Sequence, residues 1–275
     1  MQKAGAIGVF DSGYGGLTIL KEFVSVLPQY DYIYLGDNAR TPYGTRSQEV
    51  IYQYTLDCVK ELFNRGCHLV ILACNTASAK ALRRIQQNYL TALPEYKRVL
   101  GIVRPTCEVV GKYTNQGHVG VLGTKGTVNS EAYPVEVAKF FPNIQVHQLA
   151  CPMWVPLVEN LQHDKPGADY FVEEKTNELL SLYPKIDTVV LGCTHYPMLY
   201  DKIKRFLPSH IHIINQGAIV AQSLKDYLIR HPEMETLCNK NAQLSFLTTD
   251  DVETFRIQAT IYFGSTIHNV AHVTL

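Results

Sequence analysis

The chain alternates between two kinds of segment. Short, unbroken apolar runs rich in Val, Ile and Leu are separated by longer stretches in which apolar residues recur every three or four positions. The runs AIGVF (6–10), YIYL (32–35), HLVILA (68–73), RVLGIV (98–103), HVGVL (118–122), IQVHQL (144–149), TVVLG (188–192), HIHII (210–214) and QLSFLTT (243–249) predict strands. Near-continuous apolar character, rather than alternation, suits a sheet covered on both faces. The stretches 16–27, 47–65, 77–90, 105–114, 127–139, 166–182, 197–206, 217–230 and 251–263 predict helices; in the second of them Ile51, Tyr54, Cys58 and Leu62 share one face. Strands alternating with helices predict an α/β fold built on mostly parallel sheets.

Two patterns recur. An apolar run, a cysteine, small polar residues and a helix follow one another at 69–80 and again at 188–200. DSGYGGLT (11–18) has a looser echo in GTKGTVNS (123–130). Two similar α/β domains account for both repeats, with a boundary near 96–98 and a return near 210–217. Ligands of parallel sheets gather at the carboxyl ends of the strands. Asp11, Asp37, Cys74, Thr124 and Cys193 all sit at such ends, and line one cleft if the domains face each other.

Composition narrows the function. Lys plus Arg equals Asp plus Glu, so the formal net charge is zero and the basic footprint of a nucleic-acid binder is missing. No apolar stretch approaches the ~20 residues of a membrane span, and the start MQKAGAIGVFDSG lacks the apolar segment of a signal peptide. The seven cysteines (Cys58, Cys67, Cys74, Cys107, Cys151, Cys193 and Cys238) are odd in number and include no Cys-x-x-Cys. A disulfide framework or zinc knuckle is therefore not expected, and a reduced, cytoplasmic setting is.

Cys58, Cys67, Cys107 and Cys238 read as small buried hydrophobes, while Cys151 in CPMW reads either as one of them or as a residue near a cleft. Cys74 and Cys193 differ because each ends a strand and precedes small polar residues and a helix start. The amide donors and dipole of a helix start lower a thiol pKa. Asn75 and Thr76 follow the first thiol; Thr194 and His195 follow the second. Taken alone, Cys193 with His195 also fits a hydrolase nucleophile and base, or a fragment of a zinc site that lacks further ligands. Two matched thiols suit another chemistry. Inversion at carbon uses one group on each face, a thiolate to take the α proton and a thiol to return one. Asp11 is placed to assist Cys74, and His195 to assist Cys193.

The stretches GVFDSGYGGLTIL (8–20), YLGDNARTPYG (34–44), ILACNTASA (71–79), GVLGTKGTVNSEAY (120–133), PLVEN (156–160) and LGCTHYPML (191–199) resemble the glutamate racemases of the aspartate/glutamate racemase superfamily, in the family's order and over most of the chain. The resemblance implies two α/β domains, residues 1–97 plus 213–275 and residues 98–212, with the active site between them. It implies that Cys74 acts on D-glutamate and Cys193 on L-glutamate, assisted by Asp11 and His195. Ser12, Pro42, Tyr43, Gly44, Asn75, Thr76, Thr124, Thr127, Glu159 and Thr194 match its substrate-binding positions. It also implies a cytoplasmic homodimer that needs no cofactor or metal and supplies D-glutamate for peptidoglycan, with no nucleic-acid or membrane partner.

Few cations occur in these motifs, so carboxylate binding is expected to rest on neutral donors, with Arg40 the nearest exception. Lys80 lies near the first thiol, but the two-thiol layout needs no Schiff-base lysine. The chain departs from the family pattern at Arg104, Thr106, Asn215 and Gln216, none of them a proposed catalytic position. An aspartate racemase would use the same chemistry on a substrate one methylene shorter. A Cys/His hydrolase and a two-domain amino-acid-binding protein are the readings of other classes.

Overall fold

The computed structural model describes residues 3–93 and 96–275. Its strands are β1 (Ile7–Asp11), β2 (Tyr32–Gly36), β3 (Leu69–Leu72), β4 (Arg98–Gly101), β5 (His118–Gly123), β6 (Gln145–Ala150), β7 (Thr188–Gly192), β8 (His212–Ile214), β9 (Leu244–Thr248) and β10 (Val270–His272). They form a six-stranded sheet in the order β10-β9-β2-β1-β3-β4 and a four-stranded sheet in the order β6-β5-β7-β8. Every pairing in both is parallel. Counted within its own unit, each sheet contains the order second-first-third-fourth, so the two sequence repeats are two copies of one topology. In that order the crevice between the first and third strands is the switch point where ligands bind. Asp11 and Cys74 stand at the ends of β1 and β3; Thr124 and Cys193 stand at the ends of β5 and β7.

The helices are α1 (Leu17–Val26), α2 (Gln48–Asn64), α3 (Asn75–Lys80), α4 (Leu82–Arg84), α5 (Val103–Val109), α6 (Lys125–Asn129), α7 (Ala132–Phe140), α8 (Trp154–Glu159), α9 (Gly167–Leu182), α10 (Tyr200–Phe206), α11 (Gln216–Arg230), α12 (Pro232–Glu235) and α13 (Val252–Phe263). One apolar cluster runs through both units, from Ile7 and Phe23 through Ile102 and Leu122 to Trp154 and Tyr196. Among the described residues no helix is long and apolar enough to cross a membrane.

Several expectations change. Arg98–Gly101, expected to open the second unit, pairs with β3 and extends the first sheet. The chain therefore crosses over after Gly101, not at residue 98, and returns after Ile214, where β8 ends beside β7. The helix expected over 77–90 is interrupted. It passes from α3 to α4, then through a π turn at Ile85–Tyr89 and a 3-10 turn at Leu90–Ala92. The helix expected over 127–139 breaks at Glu131, which adopts a left-handed φ of 55°. There the Ser130 hydroxyl donates to the Thr127 carbonyl and accepts the Ala132 amide, replacing helical bonds. The strand β10 and the helices α8 and α12 were not expected from the pattern. They span three, six and four residues, too short for periodicity to register.

Candidate active site

Asp11 is the last residue of β1 and is fully buried. Its Oδ2 accepts the Gly13 amide at 2.9 Å, and its Oδ1 accepts the Thr194 hydroxyl at 3.3 Å. Burial raises its pKa; the His195 charge, the Gly13 and Gly16 amides and the Thr194 hydroxyl pull it back down. The loop after Asp11 carries Ser12 against Cys74 and Gly15 against the other unit. A Cβ on Gly15 would lie 2.3 Å from the Thr194 hydroxyl and 2.6 Å from His195 Nδ1. Only glycine lets the first unit's loop come this close to the second unit's thiol segment.

Cys74 caps helix α3. Its Sγ accepts the Ala77 amide at 3.5 Å and lies 3.5 Å from the Ser12 hydroxyl. Burial first, and then the Asp11 carboxylate, push this thiol up to about 12, against the Ser12 and Ala77 hydrogen bonds. Cys74 thus holds its proton on sulfur at neutral pH. The structure places Asp11 as an electrostatic neighbour of Cys74, while its hydrogen bonds go to Gly13 and Thr194.

Cys193 ends the segment after β7, and its Sγ lies 3.8 Å from His195 Nδ1. Three residues of turn, with Pro197 following, bring the ring back onto the sulfur. Nε2 on the far side of the ring lies 3.1 Å from Glu159 Oε1 at the end of α8. Burial alone would lower the His195 pKa. The hydrogen bonds to Cys193 and Glu159 outweigh it and hold the imidazole well above its ordinary value. As an imidazolium it donates from both nitrogens, one toward the thiol and one toward the carboxylate.

Both thiols open onto one cavity of about 90 Å³ between the units. Ser12, Pro42, Tyr43, Gly44, Asn75, Thr76, Thr124 and Thr194 line it, along with His195. Thr127 does not: it lies beneath the wall, 3.3 Å from the Thr76 hydroxyl and 3.1 Å from that of Thr124. Thr76 and Thr124 meet at 2.9 Å across the two units. Glu159 stands behind His195, with Thr41 donating to it at 3.5 Å. The Tyr43 hydroxyl is turned away from the cavity and donates to buried Asp37. Arg40 is engaged outside the cavity, at 2.7 Å from Asp37 and 3.1 Å from Asp57.

Cys151 and Pro152 line the cavity, as the cleft reading of CPMW expected, and the sequence reading passed over Thr41, Thr45, Lys125, Val155 and Pro156, which line it too. Lys125 sits between two threonines already singled out in GTKGTVNS, so its place in the motif was the available signal. Val155 and Pro156 belong to the unexpected helix α8, which a six-residue pattern does not announce. Among the described residues no cluster of three or more His, Cys, Asp or Glu could hold a metal ion.

Comparison with known proteins agrees with this geometry. The family model for Asp/Glu/Hydantoin racemase matches residues 15–224. The glutamate racemase of Bacillus cereus is 38% identical over 270 residues, which is 98% of this chain and 97% of that protein. The crystal structure of glutamate racemase isoform RacE1 from Bacillus anthracis superposes with a TM-score of 0.85 at 33% identity, over 100% of this chain and 99% of that one. That of the Francisella tularensis glutamate racemase in complex with D-glutamate gives 0.84 at 33% identity, over 98% and 97%. With two parallel sheets meeting at a two-thiol cavity and these matches along nearly its whole length, the chain belongs to the Asp/Glu/hydantoin racemase family and, within it, to the glutamate racemases.

Proposed function

We propose that this protein interconverts L- and D-glutamate by exchanging the α proton between Cys74 and Cys193, without a cofactor or metal. The observation that carries the reading is one shared cavity with a thiol contributed by the equivalent strand end of each unit. In one direction the Cys193 thiolate takes the Cα–H proton of L-glutamate. The electron pair left on carbon delocalises into the α-carboxylate. The Cys74 thiol then gives its proton to the opposite face, forming D-glutamate and leaving the Cys74 thiolate. The reverse reaction starts from that form, so no proton or electron is gained or lost over a cycle of both directions. Two acid/base groups reaching one cavity from the two units supply what such a step requires.

The surroundings divide the labour. His195, held as imidazolium by Cys193 and Glu159, is the proton partner of Cys193. Asp11 and the Ser12 hydroxyl serve Cys74, the first through charge and the second at 3.5 Å. Carboxylates are taken by neutral donors, the hydroxyls of Ser12, Thr76, Thr124 and Thr194 and the Asn75 amide, with Lys125 also on the cavity wall. We further propose two domains that meet at this cavity, a homodimeric assembly, a cytoplasmic location and a supply of D-glutamate to peptidoglycan, all supported by the family resemblance.

The test is inversion by protein dialysed against chelator. Circular dichroism should report loss of optical rotation from either enantiomer of glutamate, with aspartate turned over far more slowly. Activity lost on dialysis and restored by pyridoxal phosphate or zinc would overturn the cofactor-free mechanism. Faster turnover of aspartate would overturn the substrate.

A further inference from the structure

Behind the cavity wall three side chains close a ring of hydrogen bonds. Asn75 Nδ2 donates to Gln216 Oε1 at 2.9 Å, Gln216 Nε2 donates to the Tyr133 hydroxyl at 2.8 Å, and that hydroxyl donates to Asn75 Oδ1 at 2.7 Å. The second hydrogen of Gln216 Nε2 goes to the Thr106 hydroxyl oxygen at 2.8 Å, and the Thr106 hydroxyl donates to the Ile102 carbonyl at 3.3 Å. All four side chains are buried, none more than 3% exposed.

The bonds run round the ring in one direction. A backbone carbonyl only accepts, so Thr106, donating to the Ile102 oxygen, accepts from Gln216. That places the Gln216 amide nitrogen toward Thr106 and Tyr133, and its oxygen toward Asn75. Tyr133 is held neutral, its pKa raised well above the ordinary value chiefly by burial, so its one hydrogen goes to Asn75 Oδ1. Asn75 is left with its orientation fixed. Turned over, it would set its oxygen against that of Gln216 in a dry interior, where an unpaired polar group is costly and a closed ring is mutually reinforcing.

The ring joins distant parts of the chain at the two crossings between sheets. Thr106 follows the first crossing, Gln216 follows the second, and Tyr133 comes from α7 beside the four-stranded sheet. Asn75 is the neighbour of Cys74 and lines the cavity. One hydrogen of its Nδ2 is taken by Gln216, and the other remains for an anionic group.

We propose that Gln216 is a positioning residue for substrate binding: through the ring with Tyr133 it fixes Asn75 as a hydrogen-bond donor to a carboxylate of the substrate. The proposal rests on the reading that the cavity takes glutamate. Gln216 and Tyr133 touch no substrate; they act by denying Asn75 its other orientation.

The experiment is a set of purified variants, each checked for folding by thermal melting and assayed with both enantiomers. Gln216→Leu should raise KM for L- and D-glutamate about tenfold while kcat changes by less than about threefold, the pattern of lost uniform binding. The two enantiomers must respond together in kcat/KM, because the equilibrium constant between them is unity. Tyr133→Phe, which removes a single oxygen, should act in the same direction and serves in place of Gln216→Leu should that variant not fold. In an Asn75→Ala background neither change should raise KM further, since both act through Asn75. If Asn75→Ala raises KM and folded Gln216→Leu or Tyr133→Phe does not, the positioning role is wrong and the substrate assignment stands. If Asn75→Ala leaves KM unchanged, the assignment of Asn75 to substrate fails and the proposal with it. Additive losses in the double variants, with KM and melting temperature moving independently of Asn75, would reduce Gln216 to a structural residue.

Discussion

Cys74 and Cys193 end equivalent strands of two sheets with the same strand order, yet their neighbours are of opposite character. Around Cys74 stand a buried carboxylate, a serine hydroxyl and a backbone amide, and the thiol is pushed up to about 12 by burial and by Asp11. Around Cys193 stands an imidazole held well above its ordinary pKa, with Glu159 on its far nitrogen. The first half holds its proton on sulfur; the second keeps a cationic proton donor next to sulfur. Two equivalent strand ends thus carry thiols in unlike electrostatic surroundings, and under the proposed mechanism Cys74 is the acid that completes inversion of L-glutamate. The halves are also tied across the cavity. Asp11 of the first unit accepts from Thr194 of the second, and Gly15 brings its loop against Thr194 and His195. Geometry, more than the repeated motif, makes the two thiols one site.

The strongest test removes one sulfur at a time. Cys74→Ser and Cys193→Ser should each lower racemisation by at least ~10³-fold, within the 10²–10⁴ range of a positioned acid or base. With an analogue carrying a leaving group on the β carbon, elimination needs only proton removal. Cys74→Ser should then eliminate from the L analogue through Cys193, and Cys193→Ser from the D analogue through Cys74. One variant losing both enantiomers while the other keeps both would point to a single base, and normal racemisation by Cys74→Ser would end the two-thiol reading.

Next in size is the contact that joins the halves. Gly15→Ala places a methyl where Thr194 and His195 stand. It should displace the ring from Cys193 and lower kcat by about 10²-fold, as an ångström of misplacement does elsewhere. A variant with unchanged kcat would show that the loop yields without disturbing the site.

Asp11→Asn separates stability from activity. Burial raises the folded pKa of Asp11 above its ordinary value near 3.8, so the folded state binds this proton more tightly than the unfolded one. The associated stability is present at acid pH and is lost as pH rises through the raised value. Above that raised value the ionised carboxylate costs stability, and there Asp11→Asn should melt higher than the parent while turning over more slowly. The difference in melting temperature should shrink as pH falls through the raised value. A melting-temperature difference that does not grow as pH rises would contradict the cause assigned to the shift.

The smallest expected effect is a displaced pH profile. Glu159→Gln removes one of the two partners that hold the His195 proton, so the imidazolium should be lost at lower pH than in the parent. The fall in kcat for L-glutamate with rising pH should begin earlier by up to about one unit. An unmoved profile would assign Glu159 to packing alone.

Much of this was legible in the residues. The apolar runs ending at Asp11, Cys74 and Cys193 marked strands covered on both faces, and short polar residues after them marked the ligand-bearing ends. Those features are local, set by burial and by the helix starts that follow, and a sequence displays local features directly. The sequence by itself therefore determined the parallel α/β architecture, the pairing of the two thiols and the residues beside each. What it left open depends on chain segments far apart. β4 belongs to the first sheet because of its pairing with β3, and nothing within RVLG distinguishes one sheet from another. Arg40 was a candidate cation until Asp37 and Asp57 were seen to engage it. Asp11 was read beside Cys74, but its hydrogen bonds reach Thr194, 183 positions away. Thr106 and Gln216 looked remote from the site and meet at 2.8 Å behind Asn75. Only the tertiary structure decided these, because a hydrogen bond depends on where two groups are brought, and that is fixed by the packing of the whole chain.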